Sequence, residues 1–257
     1  MKTTKISAAL ATFNEEANIV DCIKSLDQFA SEIVVADGNS TDRTAELAKE
    51  LGARVIKTTN KPMFHINKNL AIDSCKNPWI FLIDADERVS KELAQEIKSK
   101  ISQNPKENGF WVNRRNWFLG GFLKKGGAYP DCVIRLFRRA KGRLPEVSVH
   151  EQVKIEGAVG HLKNDILHFA DPNFTRYLMR ANRYTQQTAL EIEKKNPGTN
   201  AFVIFRYVIV KPLLTFASIF FRHKGYVDGF RGFIWALFSA AHHFYAYVKY
   251  WESTNKN

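Results

Sequence analysis

Short segments of strand type alternate with helical segments four times in the first hundred residues. The strand segments run from Ile6 to Thr12, Ile33 to Ala36, Arg54 to Lys57 and Trp79 to Ile83. The segment after the first strand repeats apolar residues every three or four positions, as an amphipathic helix does. The alternation predicts an α/β fold with a doubly wound, mostly parallel sheet.

Polar turns follow three of these strands and should meet at one edge of the sheet. Asn14 and Glu15 follow the first strand, Asp37 ends the second, and Asp84 and Asp86 follow the fourth. In a parallel sheet the carboxyl ends of the strands open on the same side, where ligands bind. Close carboxylates repel one another unless they bind hydroxyls, amides or a metal ion. The turns therefore predict a ligand cleft.

The Asp84-Ala85-Asp86 turn leaves two interpretations open. Two carboxylates at this spacing suit Mg²⁺ or Mn²⁺, which often complete their coordination with substrate phosphates. An acidic turn can also simply favour the N-terminus of the following helix. Asp-x-Asp is a weak motif by itself. The sequence has no P-loop, and no Gly-x-Gly-x-x-Gly follows the first strand.

Net charge and cysteine content indicate which partners and which cellular compartment to expect. The chain has 38 Lys and Arg against 26 Asp and Glu, a net charge of +12, which favours phosphates, nucleic acid or an anionic membrane surface. Its three cysteines form no Cys-x-x-Cys pair, as expected in a reducing compartment and not in a thiolate zinc site. The polar N-terminal residues lead directly into a strand, so no signal peptide is expected and the predicted location is the cytoplasm.

The last third of the chain is predicted to be helical. We expect one α/β domain over residues 1–172 and a helical region over residues 173–257. The segment from Ala201 to Phe221 is long enough to cross a bilayer, but Arg206, Lys211 and Pro212 interrupt it. Charges in mid-helix are disfavoured in hydrocarbon, which favours a helix lying in the membrane interface. A helical subdomain packed on the sheet is the alternative.

Three segments together resemble the markers of family-2 glycosyltransferases with the GT-A fold. They are Thr12-Phe13-Asn14-Glu15-Glu16, Asp37-Gly38-Asn39-Ser40-Thr41-Asp42 and Leu82-Ile83-Asp84-Ala85-Asp86-Glu87. Trp79-Ile80, Val149-His150-Glu151 and the aromatic tail resemble a narrower branch, the bacterial lipopolysaccharide-core β-glucosyltransferases. The resemblance implies an inverting, metal-dependent transfer of a hexose from a UDP-sugar, with glucose as the expected sugar.

The resemblance also implies roles for individual residues. The nucleotide-sugar would be contacted by Thr12, Asn14, Glu15, Asp37, Lys68, Asp84 and Arg135. Among these, Asp37 would hold the uracil, and Asp84 would touch the ribose or a metal-bound water. Asp86 would bind the divalent metal at the diphosphate. Lys68 and Arg135 have simpler alternatives, a solvated helix face and a basic strand face.

The general base is expected in the Val149-His150-Glu151 segment. An inverting transfer needs a carboxylate or imidazole within hydrogen-bond reach of the acceptor hydroxyl, and Glu151 is the candidate. His150 is a candidate second metal ligand, or it orients the acceptor; the alternative is a surface pair. The Glu-Asp motif that many family-2 enzymes place before a helix is absent. His161 and His168 could be metal ligands, but isolated histidines are more often structural groups.

The sequence therefore predicts a Mn²⁺- or Mg²⁺-dependent transferase that uses a UDP-sugar and a lipid-linked saccharide, such as the lipopolysaccharide inner core. We expect it on the inner face of the cytoplasmic membrane, attached to anionic lipid, without a nucleic-acid partner; oligomeric state is not predicted. The alternatives are a protein or peptide acceptor, a nucleotidyltransferase, and a basic nucleic-acid-binding module. The acidic cleft and the apolar setting of the aromatic residues disfavour the last.

Overall fold

The computed structural model describes residues 5–146 and 152–255, and the chain divides into two compact units. Unit 1 comprises Met1–Arg114 and Asp131–His168, and unit 2 comprises Arg115–Pro130 and Phe169–Asn257. The predicted boundary at residue 172 stays a prediction. Residues 115–130 group with the C-terminal helices in unit 2 because of their contacts. Their Gly-rich loop pattern in the sequence does not indicate this association.

The strands account for most of unit 1. They are β1 (Ile6–Thr12), β2 (Glu32–Asp37), β3 (Arg54–Lys57), β4 (Trp79–Leu82), β5 (Glu87–Val89), β6 (Gly109–Phe118), β7 (Gly121–Phe122), β8 (Asp131–Arg138), β9 (Gly142–Arg143), β10 (Lys154–Ile155) and β11 (Val159–His168). The main sheet has the order β3-β2-β1-β4-β8-β6-β11-β5, and β9 pairs with β10 in a separate ribbon. In unit 2, β7 pairs with the last residues of β6.

The main sheet has a parallel part and an antiparallel part. Strand β1 pairs in parallel with β2 and β4, and β2 pairs in parallel with β3, which confirms the predicted strand-and-helix alternation. Thr12 lies opposite Asp37 in the β1–β2 register. Strand β8 runs antiparallel to β4, and β11 runs antiparallel to β5 with His168 opposite Glu87. The antiparallel strands therefore deliver further side chains to the edge where β4 ends.

The helices cover both faces of the sheet in unit 1 and form unit 2. They are α1 (Glu16–Leu26), α2 (Thr44–Glu50), α3 (Phe64–Ser74), α4 (Lys91–Ser102), α5 (Phe174–Lys195), α6 (Ala201–Phe205), α7 (Lys211–Ala217) and α8 (Gly229–Thr254). A π-helical segment, Arg206–Val210, joins α6 to α7, and a second one, Ser218–Arg222, extends α7, so that Ala201–Arg222 is one continuous helix. A 3₁₀ turn, Gly225–Asp228, leads into α8.

Apolar residues on both faces of the sheet explain why β4 is buried throughout and β1 at every residue except Ala11. On one face Leu10 and Phe81 pack with Ile19 and Ile23 of α1. On the other face Ala9, Ile80 and Leu82 pack with Ala71 and Ile72 of α3. Continuous apolar strands with helices on both sides are typical of parallel sheets. This packing fixes the strand ends that carry the polar turns.

Unit 2 is a set of packed helices with a large exposed apolar surface. Tyr207 of the 201–222 helix stacks on Tyr247 of α8, with ring centroids 4.9 Å apart. Within the described residues, the 201–222 helix is the one helix that by length and composition could cross a membrane, and 6% of its most apolar window is buried. Phe202 and Phe230 are each 73% exposed.

Candidate active site

Hydrogen bonds around Asp37 tie the end of β1 to the end of β2. Thr12 Oγ1 donates to Asp37 Oδ1 at 3.1 Å, and the N–H of Gly38 donates to the Thr12 carbonyl at 2.8 Å. Ser40 donates to the same carboxylate from its N–H at 2.9 Å and from its hydroxyl at 2.6 Å. Both Thr12 and Asp37 are buried. The carboxylate that the resemblance assigns to the nucleotide base is therefore held in one orientation.

Further hydrogen bonds join the loop after β1 to the loop after β2. Asn14 has a left-handed φ of 55°, and its Oδ1 accepts the N–H of Thr41 at 2.8 Å. The N–H of Glu15 donates to Thr44 Oγ1 at 2.7 Å. The two turns that were predicted separately from the sequence thus form one hydrogen-bonded layer.

Asp84 lies between two cations. Lys68 of α3 forms an ion pair with Asp84 Oδ1, and Arg135 Nη2 of β8 lies 2.7 Å from Asp84 Oδ2. The same Nη2 lies 2.6 Å from Oε1 of Glu87, which is fully buried. Burial raises the pKa of Asp84, but Arg135 and Lys68 together hold that pKa well below its ordinary value. The structure thus brings Lys68, Asp84 and Arg135 together; their predicted contacts with the nucleotide-sugar stay predictions.

Asp86 faces a histidine from a distant part of the chain. Its Oδ2 lies 3.4 Å from Nε2 of His168, the last residue of β11. Burial alone would raise the pKa of Asp86. The hydrogen bond and the charge of His168 outweigh burial, so that the pKa of Asp86 lies below its ordinary value. Burial alone would lower the pKa of His168, but the hydrogen bond and charge of Asp86 outweigh burial and raise this pKa above its ordinary value. Asp86 is therefore an ionised carboxylate at neutral pH.

Asp86 and His168 fit a divalent cation as adjacent ligands if the cation displaces the Nε2 proton of His168, since a metal-ligating imidazole nitrogen is unprotonated. Mg²⁺ binds its ligands at about 2.1 Å in an octahedron, so adjacent ligand atoms lie about 3.0 Å apart. The 3.4 Å between Asp86 Oδ2 and His168 Nε2 is close to that separation. Among residues 5–146 and 152–255, no group of three His, Cys, Asp or Glu side chains could hold a metal. Two protein ligands are enough where phosphate and water oxygens complete the coordination.

The predicted base Glu151 and the predicted metal ligand His150 lie outside the described residues. Their roles stay predictions. The described residues end on either side of this segment at Glu146 and Gln152.

Helix α3 anchors the chain just before that segment. Asn69 Nδ2 donates to the carbonyl of Leu144 at 2.9 Å, and Asn69 Oδ1 accepts the N–H of Leu144 at 3.1 Å. His65 Nδ1 lies 2.6 Å from the carbonyl oxygen of Pro145. Both His65 and Asn69 are buried. The helix that supplies Lys68 therefore also fixes the chain that leads to the predicted base.

Glu87 and His168 lie in the site, although the sequence predicted no site role for Glu87 and favoured a structural role for His168. The interpretation of the acidic turn as a helix start is wrong, because Glu87 begins strand β5 and α4 begins only at Lys91. The one indication of a site role for Glu87 in the sequence was its position directly after Asp86. His168 has no local motif, and its position depends on the pairing of β5 with β11.

Replacing Arg135 with methionine should destabilise the protein by about 3 kcal/mol, since removing one partner of a buried ion pair leaves the other charge uncompensated. The buried Glu87 carboxylate would retain, among the ion pairs of the described residues, a 3.5 Å contact with Arg114. Urea unfolding followed by circular dichroism measures the loss. Lys141→Met is the matched control, because its ion pair with Glu156 is exposed and should contribute less than about 1 kcal/mol. Equal losses in the two variants would contradict a stabilising role for the cluster.

The family of the chain follows from a direct match. Residues 7–202 match the family model described as "Glycosyl transferase family 2". The matched range covers well over half of the 257 residues. The chain belongs to glycosyltransferase family 2, which confirms the resemblance seen in its three turns.

The chain is similar to known proteins in sequence and in fold, as two relatives and one solved structure show. It is 31% identical to the lipopolysaccharide core biosynthesis glycosyltransferase LpsC of Rhizobium meliloti (strain 1021), over 96% of this chain and 92% of LpsC. It is 27% identical to the uncharacterized glycosyltransferase RT0209 of Rickettsia typhi, over 98% and 89% of the two chains. The fold is similar to that of S. aureus TarS 1–349 in complex with UDP, with a TM-score of 0.51 at 17% identity over 96% and 88% of the chains. These likenesses confirm the GT-A fold and the resemblance to lipopolysaccharide-core enzymes.

Proposed function

We propose that this family-2 enzyme moves a hexose, with glucose as the first candidate, from a UDP-sugar to a lipid-linked saccharide such as the lipopolysaccharide inner core. The observation that carries the proposal is the Asp86–His168 pair, with the Asp84 cluster next to it, at the sheet edge where β1, β2 and β4 end. The identity to LpsC supports the acceptor class. The Asp37 layer is the proposed site of the nucleoside.

The charges of the cluster support a divalent cation at the donor. The side chains of Lys68, Arg114 and Arg135 and the imidazole of His168, whose pKa Asp86 raises, stand against four carboxylates, those of Asp84, Asp86, Glu87 and Asp131. A cluster without net positive charge does not attract a diphosphate by itself. Asp86 and His168 would hold Mn²⁺ or Mg²⁺, and the bound ion would neutralise charge on the departing diphosphate.

The proposed reaction is a single inverting displacement. An acceptor hydroxyl oxygen forms a bond to the anomeric carbon while the bond from that carbon to the UDP oxygen breaks. The hydroxyl proton passes to Glu151 as general base. Lys68 and Arg135 keep Asp84 ionised and in place beside the donor. The charge that develops on the sugar ring resembles an oxocarbenium ion, as in glycoside cleavage.

We also propose that the enzyme sits on the inner face of the cytoplasmic membrane through unit 2. Aromatic side chains cluster where the 201–222 helix turns towards α8: the half-buried Phe220 contacts the exposed Phe221 at 5.2 Å and the exposed Phe233 at 6.0 Å between ring centroids. Arg222 and Lys224 are exposed in the same turn. Apolar surface beside cations is the combination that binds anionic bilayers without spanning them.

Membrane attachment predicts that Phe221→Ser with Phe230→Ser lowers binding to phosphatidylglycerol vesicles by about tenfold or more, because each lost aromatic removes buried apolar area. Co-sedimentation of the full chain measures binding. Met179→Ser on α5 is the control, since Met179 is 67% exposed but lies on another helix. Equal binding of the two variants would contradict the proposal.

The donor is tested by offering the purified chain UDP-, GDP- and TDP-glucose with Mn²⁺ and measuring slow hydrolysis. The expected result is release of UDP from UDP-glucose, with much slower release from the other two. Release of inorganic diphosphate from UTP and glucose 1-phosphate, assayed separately, would indicate a nucleotidyltransferase instead. Preference for the GDP- or TDP-sugar would contradict the proposed donor.

A further inference from the structure

Unit 2 contains a surface cavity of about 420 Å³, wide open to solvent and lined by the 201–222 helix with the adjoining His223, by α8 and by the Gly126-Gly127 turn. That volume lies in the range of small-molecule sites. The turn is fixed as one wall, because Gly126 donates its N–H to the carbonyl of His223 at 2.9 Å and accepts from Trp235 Nε1 at 3.2 Å. Both glycines have a left-handed φ, 67° and 71°, which other residues rarely adopt.

Three hydroxyl groups line this cavity without a hydrogen-bond partner in the part of the chain that the structure describes. Thr215 and Ser218 belong to the 201–222 helix, and Ser239 belongs to α8. Helical serines commonly bond back to a carbonyl of the preceding turn. Ser253 of α8 does so, donating to the Tyr250 carbonyl at 2.8 Å. The three cavity hydroxyls remain available to a ligand.

The rest of the lining indicates an uncharged ligand with an apolar part. Among the described residues, no carboxylate, lysine or arginine lines the cavity, and His223 contributes an imidazole. Trp235 adds an aromatic surface, and Leu214 and Ile219 add aliphatic surface at the side of the helix. Leu214 is 66% exposed and Leu213 beside it is 63% exposed. A phosphate or a nucleotide would find neither lysine nor arginine in this lining, whereas a hydroxyl-rich group on a hydrocarbon chain would match both kinds of surface.

We propose that this cavity binds the uncharged saccharide headgroup of a membrane glycolipid, with its hydrocarbon along the exposed side of the 201–222 helix. The inference rests on the proposed function, because a transferase that acts on lipid-linked saccharides needs a site for the sugar of its acceptor. It adds a named site and a ligand class to that function. Thr215, Ser218 and Ser239 provide the hydrogen bonds, and the Gly126-Gly127 turn provides the space.

The test compares binding of the full chain to two kinds of vesicle. Both contain phosphatidylethanolamine and phosphatidylglycerol, and one also contains a minor fraction of monoglucosyl diacylglycerol. The wild-type chain should bind the glucolipid vesicles about tenfold more tightly, the effect expected from two or three hydrogen bonds. Ser218→Leu fills the cavity and should abolish this preference. Ser253→Leu makes the same change on α8 away from the cavity and should retain it.

Ser218→Ala with Ser239→Ala is the milder variant, because alanine favours helix and only the hydroxyls are lost. It should lower the preference for glucolipid about tenfold as well. Equal binding of the wild-type chain to both vesicles would overturn the inference. So would a preference that survives in both cavity variants, or one that extra phosphatidylglycerol reproduces, since the latter indicates a phosphate site. Hydrolysis of UDP-glucose, measured in parallel, tests the proposed function separately.

Discussion

Replacing Asp86 with asparagine should lower kcat/KM for sugar transfer by about 10²- to 10³-fold and leave the fold intact. The substitution removes the ionised carboxylate that faces His168 at 3.4 Å. If this carboxylate holds the cation at the diphosphate, several kcal/mol of transition-state stabilisation are lost, and each 1.36 kcal/mol is tenfold in rate. Asparagine has nearly the same shape, so the loss reports the charge and not the packing.

Two further measurements separate a metal role from a structural one. Titration of Mn²⁺ in the presence of UDP should show weaker metal binding in Asp86→Asn, and unchanged unfolding in urea should show that the fold is retained. Proton NMR should show a lower pKa of His168, because Asp86 raises that pKa in the intact protein. Asp73→Asn is the control, since Asp73 lies in an exposed pair with Arg143. Full transfer activity in Asp86→Asn would remove Asp86 from the metal site.

The part of the site that could be predicted is the part that local sequence encodes. Thr12, Asp37 and Asp84 end or follow strands that alternate with helices, and such strands pair in parallel. Parallel pairing brings their ends to one edge whatever the rest of the chain does. The turns at Asn14 and Asp37 were therefore predicted to converge, and they are joined by direct hydrogen bonds.

The remaining part depends on strand pairings that no short motif encodes. Arg135 reaches Asp84 because β8 runs antiparallel next to β4. His168 reaches Asp86 because β11 pairs with β5, a strand of three residues. Each pairing joins segments far apart in the sequence, and the alternation of apolar residues does not specify which strands become neighbours. For this reason the sequence alone did not identify His168 as the neighbour of Asp86.

Electrostatics explain why the polar side chains at the edge form two groups and not one. Both carboxylate oxygens of Asp84 are engaged in ion pairs, one with Lys68 and one with Arg135, and these charges hold the pKa of Asp84 low. Asp86 has a histidine as its partner and retains coordination capacity for a cation. Two carboxylates that lie only two residues apart thus have different neighbours. We infer that Asp84 organises the site, whereas Asp86 binds the ion.

Replacing Glu151 with glutamine should lower kcat by about 10²- to 10⁴-fold, the usual contribution of a general base. Glutamine keeps the shape of the side chain but cannot accept the proton of the acceptor hydroxyl. Binding of UDP, followed by calorimetry with Mn²⁺, should be retained, because the donor contacts proposed above lie on the β1, β2 and β4 edge. The fall of kcat at acidic pH, which reports protonation of the base, should disappear in the variant.

The matched control is Glu156→Gln, because Glu156 is exposed in its pair with Lys141 and has no proposed contact with substrate. It should retain the kcat of the wild-type chain. Addition of a small external base such as azide or formate tests the role of Glu151 directly, since rescue of turnover requires that only the proton acceptor is missing. Unchanged turnover in Glu151→Gln would move the base elsewhere. The anchoring of Leu144 and Pro145 by Asn69 and His65 would then position the chain for another purpose.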